Sequence, residues 1–409
     1  MKKDRRQHAA PSGGKWKSLL QRCGGERVFV AAFLVLALAA GFLGTILLPK
    51  QEFSENENRM LETLDAVDFD SLISGSTMDN IESYMCDHFP LRSFFISLNT
   101  EVNLAMGKKD SGGNYSARPA EGGVYFGKNG HLYEVLLDDQ TGVLEKNCER
   151  IAAFGENAGV PLLIVPVPSG AQMQKEYLPD YAWEHDQRQE LQQLQQAAQD
   201  HPDTEVLDLF DTLSLENGDF YYKTDHHWNL LGASTAYQEI MRAVGKEPLN
   251  PEMYTLQKVS DSFLGTLYSK AITFFPQADE FYLPQFPDGG NLTQTMITGE
   301  QTESLYWEEY LEQKDKYSTF LGGNHACDVI RNDKIHDGSR LLVIKDSYAN
   351  CLVPFLAQHY EEVYVVDLRA YNGDIYQLIE EKGITQLMAV YSIKQLCDTD
   401  VSNKLYFAG

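Results

Sequence analysis

The chain has 409 residues, of which 43% are hydrophobic and 11% aromatic, and a formal net charge of -25. It is too apolar for a disordered chain and long enough to bury a large core, with about two domains expected from length alone. So acidic a surface repels nucleic acid and anionic membrane and suits a neutral or cationic substrate, although acidity also serves to keep an exported protein soluble.

Residues 1–27 carry 8 basic groups (Lys2, Lys3, Arg5, Arg6, Lys15, Lys17, Arg22 and Arg27) against Asp4 and Glu26, leaving 26 basic and 57 acidic groups for the remainder. Residues 28–48 follow as 21 uncharged, mostly apolar residues. At about 1.5 Å per residue a helix of that length crosses a hydrocarbon core of about 30 Å. The charge bias predicts a cytoplasmic basic tail (1–27), a single transmembrane anchor (28–48) and an extracellular remainder at the cell membrane. Ala39, Ala40 and Gly41 leave open a cleaved signal peptide, but the run exceeds the roughly 7–15 residues of a signal h-region. Of the six cysteines, Cys23 precedes the run and Cys86, Cys148, Cys327, Cys351 and Cys397 follow it. Their spacing predicts neither a disulfide framework nor a zinc knuckle, and they read as mostly buried small hydrophobes.

Residues 49–138 are predicted as a helical arm and linker, with apolar residues near helical spacing over 72–104, a polar loop KKDSGGNYSARPAEGG, and short strands VYFG and HLYEVL joined by the turn KNG. From 139 to 409 the pattern is α/β. A helix (143–158), the strand PLLIVPVP (161–168), a glutamine-rich helix (187–199), the strand EVLDLF (205–210) and a helix (230–244) come first. Residues 245–319 break this grammar with aromatic, proline-rich text and are predicted as an insertion over the sheet. The strands RLLVI, EEVYVVDL and ITQLMAVYS then alternate with helices, and right-handed crossovers predict that they are parallel neighbours.

Three stretches could carry chemistry. Ser347, in Lys345-Asp346-Ser347-Tyr348, ends a buried strand, where open α/β sheets bind ligands and where a nucleophilic serine is commonly displayed. A plain alternative is that Ser347 or Asp346 only caps the following helix. The stretch YYKTDHHWN (221–229) supplies Asp225 and His227, which in an extended segment point to one side while His226 points to the other. That pair is the base and orienting acid a serine needs. Alternatives are a metal site on Asp225, His226 and His227, a helix cap on Asp225, and core packing for Trp228 and Tyr222. The stretch LGGNHA offers Gly322, Gly323 and Asn324 as backbone and amide donors to an oxyanion, or only a tight turn.

With these pieces the sequence resembles the DHHW family of bacterial exported proteins, through ENRML, DHFPLR, GKNGHLY, PVPSG, TDHHW, GGNH and KDSY. That family is similar to the periplasmic alginate O-acetylation proteins. The resemblance implies an SGNH-hydrolase-like (flavodoxin-like), mostly parallel α/β fold with circularly permuted motif order, the D-x-H pair preceding the serine. It implies Ser347 as nucleophile, His227 as general base and Asp225 as its orienting acid. The backbone N–H of Ser347 with Asn324, Gly323 or Gly322 would form the oxyanion site, and Tyr348 and Trp228 join them as oxyanion or substrate-binding candidates. One departure is that the serine sits in K-D-S-Y rather than in a glycine-led G-D-S or G-T-S. The implied activity is serine-dependent O-acetyl transfer to a cell-surface or secreted polysaccharide through an acetyl-serine, without metal or cofactor. A membrane-bound O-acyltransferase is the implied acetyl donor, and Phe274, Phe275, Tyr282 and Phe286 are candidates to stack on sugar rings. An acetyl esterase with the same triad and a non-catalytic glycan-binding component are the competing readings.

Overall fold

The structure, a computed structural model, describes residues 25–112, 122–139, 141–183, 185–287 and 292–406. The basic tail up to residue 24, with Cys23, lies outside the described residues, as does the middle of the glycine-rich loop. The chain divides into one unit of Met1–Ser54 with Arg59–Phe95 and a second of Glu55–Asn58 with Ile96–Gly409.

In the first unit, helix α1 (Gly25–Leu47) leaves Phe33, Leu36, Leu38 and Leu47 exposed, and over residues 27–47 it is long and apolar enough to cross a membrane. Helices α2 (Phe69–Ser74) and α3 (Ser76–Asp87) follow. Arg59 and Asp87, from the ENRML and DHFPLR stretches, form a two-pronged ion pair, with Arg59 Nη1 2.8 Å from Asp87 Oδ2 and Nη2 on Oδ1. The Glu62 backbone N–H donates to the same carboxylate at 2.9 Å. A planar guanidinium matches a carboxylate in this fork geometry, which accounts for the pairing of these two stretches.

In the second unit, a hairpin of β1 (Val124–Phe126) and β2 (Leu132–Glu134) precedes the α/β body. The body contains α4 (Val143–Ala152), β3 (Leu162–Val167), α5 (Arg188–Ala198), β4 (Thr204–Val206) and α6 (Leu230–Ala243). Strands β5 (Thr255–Phe263) and β6 (Asp279–Gln285) form a second hairpin, and β7 (Leu292–Met296) and β8 (Gln301–Thr302) a third pair. The chain ends with β9 (Cys327–Asn332), β10 (Arg340–Lys345), β11 (Glu362–Val366), α7 (Ile375–Lys382), β12 (Gln386–Ser392) and α8 (Ile393–Asp398).

The eight-stranded sheet runs β8-β7-β9-β11-β10-β12-β3-β4. Strands β11, β10, β12, β3 and β4 are parallel, and β9, β7 and β8 add antiparallel strands at one edge. The three late strands are parallel neighbours as expected, with β10 between β11 and β12. The buried runs follow from burial of both faces, with side chains alternating between two cores. Leu163, Val165, Leu341, Val343, Met388 and Val390 face one core with Tyr237 and Ile240 of α6 and Phe263 and Phe281 of the second hairpin. Leu162, Ile164, Leu342, Ile344, Leu387 and Ala389 face the other, with Cys148 and Ile151 of α4, Leu191 of α5, and Ile375 of α7. Part of the 245–319 segment thus packs on one face of the sheet, while β7 and β8 lengthen its edge.

Two expected elements are shorter than the pattern suggests. The EVLDLF strand pairs only as far as Val206, because Asp208 turns back to accept from the Phe210 backbone N–H at 2.9 Å and takes the chain off the sheet. The helix expected after Ser347 is instead a 3-10 turn (Ser347–Ala349) and a short helix (Val353–Leu356) that carries Pro354 in its first turn, where the missing N–H is tolerated but would break a helix running on from Ser347. Cys148, Cys327, Cys351 and Cys397 are buried and unbridged, and Cys86 is exposed.

Leu342, fully buried in the middle of β10, is expected on Leu342→Ala to lose about 2–5 kcal/mol of stability, read from the denaturant midpoint of unfolding.

Candidate active site

The parallel strands deliver their carboxyl ends to one edge of the sheet, where β10 ends at Lys345 and β12 at Ser392. Asp346 caps the turn after β10. Its Oδ1 accepts from the Tyr348 backbone N–H at 3.0 Å and its Oδ2 from the Ser392 N–H at 2.7 Å. Asp346, not Ser347, is therefore the cap, and the Ser347 hydroxyl is left at the surface of the turn. The Ser347 backbone N–H has no acceptor among the described residues.

The YYKTDHHW stretch is a tight loop rather than an extended strand end. Tyr221 bridges Trp228 antiparallel, and the Tyr222 N–H donates to His227 O at 3.3 Å. Asp279 of β6 grips the loop tip, accepting from the backbone N–H groups of Lys223 (2.8 Å) and Thr224 (2.9 Å) and from the Thr224 hydroxyl (2.6 Å). This curvature corrects the expectation that His226 points away from His227. The two rings lie tilted against each other, 3.8 Å between centroids. His226 Nδ1 is 2.6 Å from the Thr266 hydroxyl.

Asp225, His227 and Ser347 form one line of hydrogen bonds. His227 Nδ1 lies 2.5 Å from Asp225 Oδ1, and His227 Nε2 lies 2.7 Å from Ser347 Oγ. Asp225 also accepts from the His227 backbone N–H at 3.0 Å and, through Oδ2, from the Thr266 N–H (2.7 Å) and hydroxyl (3.0 Å). Burial by itself would raise the Asp225 pKa, but attraction to the His227 and His226 rings and these hydrogen bonds hold it well below the usual carboxylate range. Burial, reinforced by the like charge of His226, pushes His227 down to about 4 against the pull of Asp225. The pair is therefore a carboxylate and a neutral imidazole at neutral pH, with Nδ1–H donated to Asp225 and the Nε2 lone pair turned to Ser347. Asp225, His226 and His227 bring possible ligand atoms within 4.8 Å of one another. A metal there would have to displace the donors on Asp225 and take Nε2 from Ser347.

The two motifs are stitched together by further contacts. Trp228 Nε1 donates to Tyr348 O at 3.0 Å, and the Tyr348 hydroxyl donates to His226 O. Trp228 is fully buried, so its place is structural rather than substrate-binding. Tyr348 is almost as buried and lines the cavity. Tyr317, which sequence reasoning did not single out, stacks on His227 at 3.8 Å and 6° and donates its hydroxyl to Ser347 O at 3.1 Å. Thr266, Gly265 and Asp279 were missed with it. All four lie in the segment from 245 to 319, whose spacing carries no period that marks them.

Gly322 and Gly323 have positive φ angles of 75° and 97°, and Asn324 follows them. Asn324 Oδ1 accepts from Lys345 Nζ and from Asn350 Nδ2 (3.2 Å), so the loop is tied to the strand and turn that carry Ser347. None of Gly322, Gly323 and Asn324 lines the cavity onto which Ser347 opens. Lys345 is itself buried. Burial pushes it down to about 8 against the pull of Asp367 and Asp346. The cavity, of about 260 Å³, is lined by Ser347, His226, Glu134, Lys270, Ser392 and Lys394 among others. Of the aromatic candidates, Phe286 packs on Tyr254 and Phe355, Phe275 is exposed, and neither these nor Phe274 and Tyr282 reach this cavity.

A β-carbon at Gly265 would lie 2.3 Å from Asp225 Oδ2 and 2.3 Å from its Cβ. Gly265→Ala is therefore expected to displace the carboxylate and remove the downfield imidazole N–H proton resonance of His227 that the Asp225 hydrogen bond creates, with the fold retained by circular dichroism.

Residues 204–366 match the family described as DHHW protein. No curated protein matches the chain. Among solved structures, a DHHW family protein from Eubacterium siraeum aligns with a TM-score of 0.59 and 22% identity over 70% of this chain and 95% of its own. Bacillus cereus PatB1 with a sulfonyl adduct aligns with a TM-score of 0.57 and 23% identity over 67% and 96%, and PatB1 alone with 0.56 and 24% over 67% and 97%. At these identities the likeness is one of fold. The stretch that carries both Asp225-His226-His227-Trp228 and Ser347 lies within the residues that match the DHHW protein family.

Proposed function

We propose that the protein is an O-acetyltransferase that acts on a polysaccharide through an acetyl-serine at Ser347. The observation that carries this reading is the unbroken line from the Asp225 carboxylate through His227 to the Ser347 hydroxyl, ending at a cavity. In the first step His227 Nε2 takes the Ser347 proton while Oγ bonds to the acetyl carbonyl carbon. The carbonyl oxygen becomes an oxyanion beside the Ser347 N–H. Collapse expels the donor's leaving group, which takes the proton from His227. In the second step a sugar hydroxyl gives its proton to His227 and attacks the acetyl-serine. Ser347 then leaves with the proton, and the ester rests on the sugar.

Asp225 keeps the imidazole in the tautomer whose Nε2 is free and stabilises the imidazolium formed in each step. Tyr317, stacked on the ring, limits its rotation. The likeness of fold to PatB1, solved with a sulfonyl adduct, supports the reading. The apolar helix α1 and the basic residues before it support a membrane anchor with the α/β body outside, where a membrane-bound O-acyltransferase would hand over the acetyl group.

The test is incubation of the full-length protein with an activated acetyl ester and an oligosaccharide. Acetylated Ser347 and acetylated sugar are expected, and Ser347→Ala is expected to lower the rate about 10³-fold or more. Acetate without acetylated sugar would assign an esterase instead, and unchanged glycan acetylation in cells carrying Ser347→Ala would assign a non-catalytic component. A second expectation concerns pH. His227 accepts the proton only when neutral, so acylation of Ser347 should be level near pH 7 and fall as pH drops through about 4. His226→Gln removes the like charge that depresses His227 and should move this acid limb to higher pH.

A further inference from the structure

The serine cavity is the first of three adjoining hollows. Glu134, at the end of β2, lines it and also lines a second cavity of about 640 Å³. Tyr125, Lys128, Pro179 and Asp180 line both that cavity and a third of about 700 Å³. The β1–β2 hairpin forms their common wall, with Glu134 paired to Val124 and Tyr133 to Tyr125. From Val124 to Lys128 is about 13 Å of extended chain, room for more than one sugar ring beyond the serine.

Two aromatic side chains stand along this track without a core to fill. Tyr181, 99% exposed, lines the third hollow, and Trp183, 39% exposed, lines the second. The Trp183 backbone N–H donates to the Tyr125 hydroxyl at 2.9 Å, which holds this loop against the hairpin. A single exposed aromatic is ordinary on a protein surface. Two of them, set in hollows that adjoin the serine cavity through Glu134 and the β1–β2 hairpin, match the flat apolar faces of sugar rings.

Charge narrows the ligand. Glu134, Asp138 and Glu176 line the middle hollow, and its two lysines already face carboxylates, with Lys128 Nζ 3.2 Å from Asp180 and Lys175 Nζ 3.8 Å from Asp186. In this middle hollow a polymer bearing carboxylate or phosphate groups meets a wall of its own sign, whereas hydroxyl and ammonium groups can donate to these oxygens; the third hollow is mixed, with Lys108 and Lys109 beside Asp110 and Asp180.

We infer that this track binds an extended polysaccharide chain free of anionic groups, with sugar rings against Tyr181 and Trp183 and one hydroxyl presented at Ser347. What it presents the chain for rests on the acetyl-transfer reading above.

The experiment measures binding of chitosan, cello- and oligogalacturonate oligosaccharides of one to six sugars to the full-length protein, alongside labelling of Ser347 by a sulfonyl fluoride. Chitosan or cello-hexasaccharide is expected to bind about tenfold or more tighter than its monosaccharide, and Tyr181→Ala with Trp183→Ala to abolish that gain. The double variant should keep the wild-type rate of Ser347 labelling and the wild-type unfolding midpoint. Hexasaccharides that bind no better than monosaccharides, a double variant that binds them unchanged, or oligogalacturonate that binds tightest would each overturn the inference. Failure of Ser347 to be labelled would count against the acetyl-transfer reading alone, because oligosaccharide binding is read without it.

Discussion

The constraint on which the rest of the site depends is the ionised Asp225 carboxylate, buried with almost no contact to solvent. A charge in that position is costly unless donors replace the lost water. Four donors do so, two from His227 and two from Thr266. Each requirement propagates outward. Thr266 can approach only because Gly265 has no side chain to meet the carboxylate, and the loop that carries Asp225 keeps its curvature because Asp279, a second buried carboxylate, binds its tip. Thus the segment between α6 and β9 supplies most of the electrostatic support of the site, although Asp225, His227 and Ser347 all lie outside it.

The second requirement is to hold two stretches 120 residues apart within hydrogen-bond distance. This is met by redundancy. Trp228 bonds to the backbone of Tyr348, the Tyr348 hydroxyl to the backbone of His226, and Tyr317 to the carbonyl of Ser347 while stacking on His227. Below them, the buried ammonium of Lys345 is held by Asn324 and Asn350 and draws on Asp367 and Asp346. The cation occupies the place before Asp-Ser where a glycine was the familiar expectation, and it ties the Gly322-Gly323-Asn324 loop to the serine turn. The apolar core fixes the strand, and this polar layer fixes the orientation of what the strand presents.

Legibility of the chain followed the range of the forces involved. The parallel strands could be read because burial of both faces writes unbroken apolar runs such as LLIV and RLLVI. Ser347 could be read because a polar residue directly after such a run falls at the carboxyl edge of the sheet. The helix expected after it was overestimated, since Pro354 lacks the N–H that a helix running on from Ser347 would need there. The two histidines were separated by assuming strand alternation. A loop curled around Asp279 obeys no such alternation, and that contact spans some 55 residues.

By itself the sequence determined the apolar N-terminal helix and the α/β body, because local pattern and hydrophobic period encode these directly, and it offered Asp225, His227 and Ser347 as candidates that the resemblance to the DHHW family singled out. Tertiary structure alone decided the partners of those residues: Tyr317 on the imidazole, Thr266 on the carboxylate, Lys345 beneath the serine turn, and Trp228 as a buried strut. The physical reason is that a desolvated polar group takes whichever donors the packed fold brings within about 3 Å, and that proximity leaves no periodic trace along the chain.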